Sequence, residues 1–386
     1  MAIVLFDNSA RRNLQPFTLT HAVADLRYGI FSGRERWALL SGQTVFVHAP
    51  AYLHPLYEAI PGGEHIWIDA AIVPDSAIVT AILSLKEDEC MGDNEGLIAC
   101  RTKTPAPKFD PSNAAANYGK LVSAQAARRL VYPWQLMQWN DERLRADFEL
   151  ASAGRSSALL PATVTAIKPE NIFVEQGAIL NHCLINAETG PVYIGRNAEV
   201  MEGSVIRGPF SLGNNAVLKM GSRVYGATTI GPYCMGGGEI KNTVMMGYSN
   251  KAHDGYLGDS VIGEWCNFGA GSSNSNIKNT AGEVKVWSMG SGEYVTVGQK
   301  CGVIMGDYSR AAINSSINTG SMIGVSCNVF GEGLLPTLIN HFSWGVKQTI
   351  YDLNKALQDI RNWKKLKGCE LSEAEVSVLK HIFKQP

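Results

Sequence analysis

Glycine limits what this chain can become more than any other residue. There are 39 in 386 residues, and they crowd the sequence beyond residue 190. There they fall into a recurring unit: an aliphatic residue, a glycine, two variable residues and a small one. The units are Ile194-Gly195-Arg196-Asn197-Ala198, Leu212-Gly213-Asn214-Asn215-Ala216, Ile230-Gly231-Pro232-Tyr233-Cys234, Ile262-Gly263-Glu264-Trp265-Cys266 and Ile323-Gly324-Val325-Ser326-Cys327. The first three start 18 residues apart, at positions 194, 212 and 230, which is three units of six. A hexapeptide period predicts a parallel β-helix with three short strands per turn. One aliphatic side chain in six points inward, a small residue fits where the interior is crowded, and glycine or asparagine takes the left-handed backbone of the corner. Asn214, Asn215, Asn267 and Asn274 suit such corners. A hairpin-built sandwich would show sustained apolar and polar alternation, which is absent.

The coil is expected over residues 165–333, and the flanks differ from it in character. Residues 1–140 open with AIVLF and carry TVFVH, two strands with FSGRERWALL as a helix between them, which predicts an α/β domain. Residues 141–164 continue a helical linker from YPWQLMQWNDERLRADFEL. Residues 334–386 form a helical extension: Ile350, Leu353, Leu357 and Ile360 share a helical face, and Ser372 with Glu375 spells a capping box.

Composition narrows the function classes. With 45% hydrophobic and 18% charged residues and no apolar run of about 18 residues, the chain reads as a globular protein without a membrane span. The opening apolar run is short and precedes its arginines, unlike a secretory signal, so a cytoplasmic location is expected. A net charge of -1 favours neither nucleic acid nor an acidic membrane as partner. The eight cysteines are dispersed with no CxxC pair, and read as reduced, buried residues.

The stretch KAHDGYLGD, residues 251–259, breaks the coil pattern between the Ile230 and Ile262 units. A histidine can accept a proton near neutral pH, which acyl transfer to an amine requires. The stretch resembles the acetyltransferase domain of the bifunctional enzymes that make UDP-N-acetylglucosamine from glucosamine-1-phosphate. Lys251-Ala252-His253-Asp254-Gly255-Tyr256-Leu257-Gly258-Asp259 is similar to that family's Lys-Ala-Gly-His-x-x-Tyr-Leu-Gly-Asp, and Asn267-Phe268-Gly269-Ala270-Gly271 to its Asn-Ile-Gly-Ala-Gly. Ser275-Asn276, Gly238-Glu239-Ile240-Lys241 and Arg223 also match in spacing.

The resemblance implies a left-handed β-helix, a homotrimer and acetyl-CoA as cosubstrate. It implies His253 as general base, oriented by Glu239 and Asn276. Arg223 and Lys241 would hold the sugar phosphate, Tyr256 the phosphate or sugar, and Asn267 the sugar. The family's next phosphate-binding lysine has no aligned counterpart, leaving Lys278 or Lys285 as substitutes. Two other classes compete. One is a nucleotide-sugar-binding or regulatory protein whose coil only trimerises. The other is a coil metallohydrolase, disfavoured because only His182 and His253 lie in the coil, with His341 beyond it.

RRNLQPFTLTHAVADLRYGIFSGRERW is similar to a variant sugar-nucleotidyltransferase domain found before the coil in some members of this group. The usual glycine-rich phosphate loop is replaced by Asp7-Asn8-Ser9-Ala10-Arg11-Arg12. Arg11, Arg12 and Arg27, with Arg34 and Arg36, are candidates for binding the nucleotide phosphates. Asp69, at a predicted strand end, is a candidate Mg²⁺ ligand. The competing possibility is that the arginines pair with acids such as Asp25 and Glu35. The expected partners are therefore an amino-sugar phosphate and a nucleotide.

Overall fold

The computed structural model describes residues 1–113, 120–123, 126–347 and 349–384. The N-terminal domain holds β1 (Ala2–Phe6), β2 (Val45–His48), β3 (His65–Asp69), β4 (Glu89–Asp93), β5 (Gly96–Thr102) and β6 (Lys120–Ser123), in the order β2-β1-β3-β5-β4-β6. β1 lies parallel to β2 and β3, with Ile3 beside Val45 and Ile66. Every residue of β1 and β3 is buried, which explains the unbroken apolar run AIVLF: a central parallel strand is covered on both faces. The helix Gly33–Ser41 is closed at its start by a Ser32/Glu35 capping box and at its end by Gly42 at φ 65°.

Beyond residue 165 the chain winds as a left-handed β-helix with three faces. A front face of six strands runs from Thr165–Ile167 to Tyr256–Gly258. A covered face of nine runs from Ile172–Val174 to Leu338–Ile339, and a back face of ten from Ile179–Leu180 to Thr349–Ile350. Neighbouring turns pair in parallel register, Val192 with Phe210 and Ile194 with Leu212. Inward residues such as Ile185, Ile206, Leu218 and Ile240 form the coil's own buried core. The last covered- and back-face strands of the coil proper, Leu338–Ile339 and Ser343–Trp344, fall in the stretch expected to be helical extension.

The corners divide by chemistry. Between back and front faces, Gly203, Gly221, Gly238, Gly255 and Gly271 supply positive φ, as the repeat predicts. Of the four asparagines expected at corners, Asn215 has positive φ (57°). Asn214 instead accepts the Arg196 N–H of the preceding turn at 2.9 Å. Asn267 and Asn274 lie within strands. Between covered and back faces, Tyr233, Tyr248, Trp265 and Tyr308 hold φ of 58, 55, 59 and 61°. Left-handed backbone costs a residue with a Cβ about 1–2 kcal/mol. Ring stacking, Tyr233 on Tyr248 at 4.8 Å and Tyr248 on Trp265 at 4.3 Å, offsets part of that cost. The helix Leu353–Lys365 lies near this ladder, with Lys364 Nζ 4.7 Å from the Trp265 ring centre.

The N-terminal domain and the two C-terminal helices, Leu353–Lys365 and Glu373–Phe383, share one buried core with the covered face. It joins Leu19, Leu26 and Met137 to Val261, Ile304 and Met322, and to Leu357 and Leu379. The Ser372/Glu375 capping box is present. A hairpin, Val284–Ser288 with Glu293–Gly298, interrupts the coil where the repeat lapses, and its Gly290 rests against the Arg12 backbone. No helix among the described residues is long and apolar enough to cross a membrane.

Candidate active site

Parallel register turns residues far apart in sequence into neighbours on the front face. Arg223 pairs with Glu239, Glu239 with Tyr256, and Tyr225 with Lys241. Adjacent strands are about 4.8 Å apart, so Arg223, Glu239 and Tyr256 form one outward column over three turns, with Tyr225 and Lys241 forming a second beside it. Val224, Ile240 and Leu257 alternate with them and point into the coil. The first column also interacts directly. Arg223 Nε lies 3.9 Å from a Glu239 oxygen, and Tyr225 donates its hydroxyl to the other at 2.5 Å. Lys241 Nζ sits 5.6 Å from the Tyr225 ring centre.

Asn276 closes the column at the coil's interruption. Its amide donates to the Tyr256 hydroxyl at 3.0 Å and to Asp259, which also accepts from Asn242 at 2.7 Å. Burial, and then the Asp259 carboxylate, push the Tyr256 phenol well above its ordinary range, so it stays a hydrogen-bond donor at neutral pH. Asn274 points inward and brackets Gly258, accepting its N–H at 2.8 Å and donating to its carbonyl at 3.0 Å. It thereby supplies both ladder bonds where the next coil strand is displaced.

His253 stands exposed on the corner leading from the back face into Tyr256. No hydrogen bond joins its ring to Glu239 or Asn276 among the described residues; those two groups are taken by Tyr225 and by Tyr256 with Asp259. A ring on the corner and a carboxylate on the flat face are held by different parts of the turn. Asn267 lies on the back face, between Asn250 and Arg310. Lys278 donates to the Glu283 carbonyl at 2.5 Å in an exposed loop, and Lys285 points outward from the hairpin. Two members of the cluster escaped the sequence reading. Tyr225 stands two residues after Arg223 and so shares its face. Asp259 ends the KAHDGYLGD stretch and joins the cluster through its contacts with Asn242 and Asn276.

The same corner continues toward the coil's end. Residues following the back-face strands stack turn on turn: Ala252, Gly269, Ala312, Phe330 and Gly345. Three turns beyond Ala252, or about 14 Å, the corner opens into a cavity of about 640 Å³ lined by Phe330, Glu332, Trp344 and Lys347. Phe330 meets Trp344 edge-on at 5.5 Å.

In the N-terminal domain the candidates separate. Arg11 turns inward, its Nε 2.8 Å from Asp7 and its Nη2 donating to the Thr18 and His21 carbonyls. Arg27 binds Glu35 at 2.9 Å and the Ile30 carbonyl, Arg34 binds Asp25 at 3.1 Å, and Arg36 is buried against Asp147. Arg12 and Arg34 are the exposed members of the candidate set, Arg34 with Asp25 as its partner. Asp7, one residue past β1, and Asp69, the last of β3, lie at the carboxyl edge where open α/β sheets bind ligands. Asp69 accepts from Asn8 at 2.7 Å and from the Ala71 N–H at 3.0 Å, with Arg129 Nε at 3.8 Å.

Residues 3–156 match the family model described as sugar nucleotidyl transferase. The match takes in the whole α/β domain and the helix that follows it, and stops short of the coil. The bifunctional protein GlmU of Methanocaldococcus jannaschii is 37% identical over 89 residues, 23% of this chain and 21% of that protein. A bifunctional sugar-1-phosphate nucleotidylyltransferase/acetyltransferase of Sulfurisphaera tokodaii is 38% identical over 93 residues, 24% of this chain and 23% of that one. The matched stretch spans less than a quarter of either relative's length. An Arabidopsis UDP-N-acetylglucosamine acyltransferase of known structure is 11% identical, covering 58% of this chain and 93% of that one with a TM-score of 0.21.

In the N-terminal domain, burial pushes both Asp7 and Asp69 up to about 6, against the pull of Arg11 on one and of the Ala71 N–H and Arg129 on the other. Both are therefore largely ionised at neutral pH. Among the described residues, no group of three histidine, cysteine or acidic side chains converges as a metal cage. Mg²⁺ does not require one, since it is commonly held by one or two carboxylates together with substrate phosphates.

Proposed function

We propose that this protein is an acetyl-CoA-dependent N-acetyltransferase acting on an amino-sugar phosphate, with glucosamine-1-phosphate as the acceptor. The observation that carries this reading is the front-face column: a guanidinium, a carboxylate and a phenol in adjacent registers, an ammonium beside them, and an imidazole at their edge. Arg223 and Lys241 meet the sugar phosphate, a planar fork and a point charge suited to a dianion. Tyr256 and Asn276 hydrogen-bond the sugar. The amine nitrogen attacks the thioester carbonyl carbon, His253 takes the proton that the amine sheds, and the carbon–sulfur bond breaks to release the CoA thiol. The corner running from His253 to the Phe330, Trp344 and Lys347 cavity supports a thioester laid along the coil, its adenine on the rings and a phosphate on the lysine.

The covered face is occupied by the chain's own N-terminal domain, which leaves the front and back faces free. Ile167 and Val205 stand exposed on one, Ile179 and Met235 on the other. That exposure supports a homotrimer whose site is completed across neighbouring coils, with Asn267 contributing from the back face. The sugar nucleotidyl transferase domain would join the acetylated product to a nucleotide, with Asp69 as a Mg²⁺ ligand and Arg12 on the phosphates. The internal pairing of Arg11 and Arg27 favours a second reading of that domain, in which it binds a nucleotide sugar without turning it over.

The test is thiol release from acetyl-CoA with glucosamine-1-phosphate. Activity that falls by about 10²–10⁴ in His253→Ala supports the reading; equal rates for the two proteins end it. Pyrophosphate release from UTP, Mg²⁺ and N-acetylglucosamine-1-phosphate decides between the readings of the first domain.

A further inference from the structure

The inward column of the back face reads Leu180, Val200, Leu218, Gly236, Lys251, Phe268, Ala311 and Val329. An ammonium inside an aliphatic column needs an explanation. Lys251 is 1% exposed, and no salt bridge joins it to a carboxylate among the described residues. Its register partner is Gly236, which removes a side chain where the lysine stem must be accommodated. The ammonium ends on two carbonyls, that of His253 at 2.5 Å and that of Gly237 at 3.2 Å. These belong to successive turns of one corner: a Cβ added to Gly237 would lie 2.3 Å from the Ala252 carbonyl oxygen. Lys251 therefore ties the turn that carries His253 to the turn before it.

Stability does not account for this choice. Burying a charge against neutral acceptors costs several kcal/mol relative to water, and replacing buried charges with apolar side chains of similar volume is often neutral or stabilising. The burial is felt by the group itself, whose pKa falls to about 8, with Asp254 only partly restoring it. A methionine would fill the same space without that penalty.

We propose that Lys251 is a positioning residue, whose ammonium fixes the corner backbone that presents His253 to the front-face column. This role rests on the reading of His253 as the base. It is tested by comparing wild type, Lys251→Met, Lys251→Gln and His253→Ala for acetylation of glucosamine-1-phosphate, with a melting temperature for each. Lys251→Met is expected to melt at or above wild type, to keep KM for both substrates within about twofold, and to lose about ten- to a hundredfold in kcat, since a displaced catalytic group costs rate rather than binding. Lys251→Gln, too short to span both carbonyls, is expected to lose kcat likewise and replaces the methionine variant if that one does not fold. Wild-type kcat in a folded Lys251 variant, with His253→Ala inactive, overturns the positioning role alone. A kcat loss that only follows a lowered melting temperature overturns it too. Wild-type rates in His253→Ala overturn the reading of the site, and the role of Lys251 with it.

Discussion

His21 Nε2 lies 2.7 Å from Asp307 Oδ2, across the boundary between the N-terminal domain and the coil. Glu264 lies at 4.0 Å, and Thr20 donates to the same Asp307 oxygen at 2.6 Å.

The pair makes the domain junction sensitive to alkali. Burial alone would lower the His21 pKa, but Asp307, with Glu264 behind it, carries it up to about 10. A folded pKa raised above the unfolded value of about 6.5 gives stability that is complete below that pH and lost as pH climbs through the folded value. The wild-type melting temperature should therefore fall between pH 7 and about 10. His21→Gln should start lower at pH 7 and show a flatter curve. Parallel curves in thermal scans would contradict this.

Asp69 has the same pH sign, but here burial penalises the charged form. Its folded pKa of about 6 exceeds the ordinary carboxylate value, so the folded state binds the proton more tightly and stability declines as pH rises toward 6. At pH 8 the ionised group is a burden on the fold. Asp69→Asn should then melt a few degrees higher than wild type while losing Mg²⁺-dependent pyrophosphate release. An unchanged or lowered melting temperature would show that its Asn8 and Ala71 hydrogen bonds outweigh the burial.

Arg36 and Asp147 are each 1% exposed by side chain, and Asp147 also accepts the Ile30 and Phe31 N–H groups. This answers the sequence expectation for Arg36: it anchors the helix Asn140–Ser152 to the first domain and is not open to a phosphate. Asp147→Ala should destabilise by about 3–5 kcal/mol, because a buried guanidinium is left unmatched. Urea unfolding measures the loss. The double replacement of both residues by well-fitting apolar side chains should recover much of it.

Substrate binding should divide along the coil. Arg223→Ala removes a charge-assisted bond of about 1.5–3 kcal/mol, so KM for the sugar phosphate should rise about 10–100-fold with KM for acetyl-CoA nearly unchanged. Trp344→Ala, five to six turns further along the coil, should do the reverse. Steady-state kinetics with each substrate varied in turn separates the two, and a mixed effect from either variant would contradict this division.

Much of the fold could be read because repetition makes a local pattern report a global one. The glycines of the back-to-front corner, the inward aliphatic residues and the capping box at Ser372 all act within one turn of chain. The aromatic corner could not be read this way, since Tyr248 and Trp265 tolerate left-handed backbone only by stacking on one another and lying beside a helix a hundred residues later. The site divides similarly. Arg223, Glu239, Lys241 and Tyr256 are legible by spacing, whereas Tyr225 and Asp259 gain their place only from the contacts they make.

The sequence by itself determined a coil with an eighteen-residue turn, because one inward side chain per six residues and small or flexible corners admit little else. Tertiary structure decided which charges remain available. Arg11, Arg27 and Arg36 look alike in the sequence, yet folding brings carboxylates and carbonyls against each, while parallel strand register sets Arg223 and Lys241 on an open face. A charge's availability depends on what other parts of the chain place within a few ångströms of it, and no local pattern carries that distance.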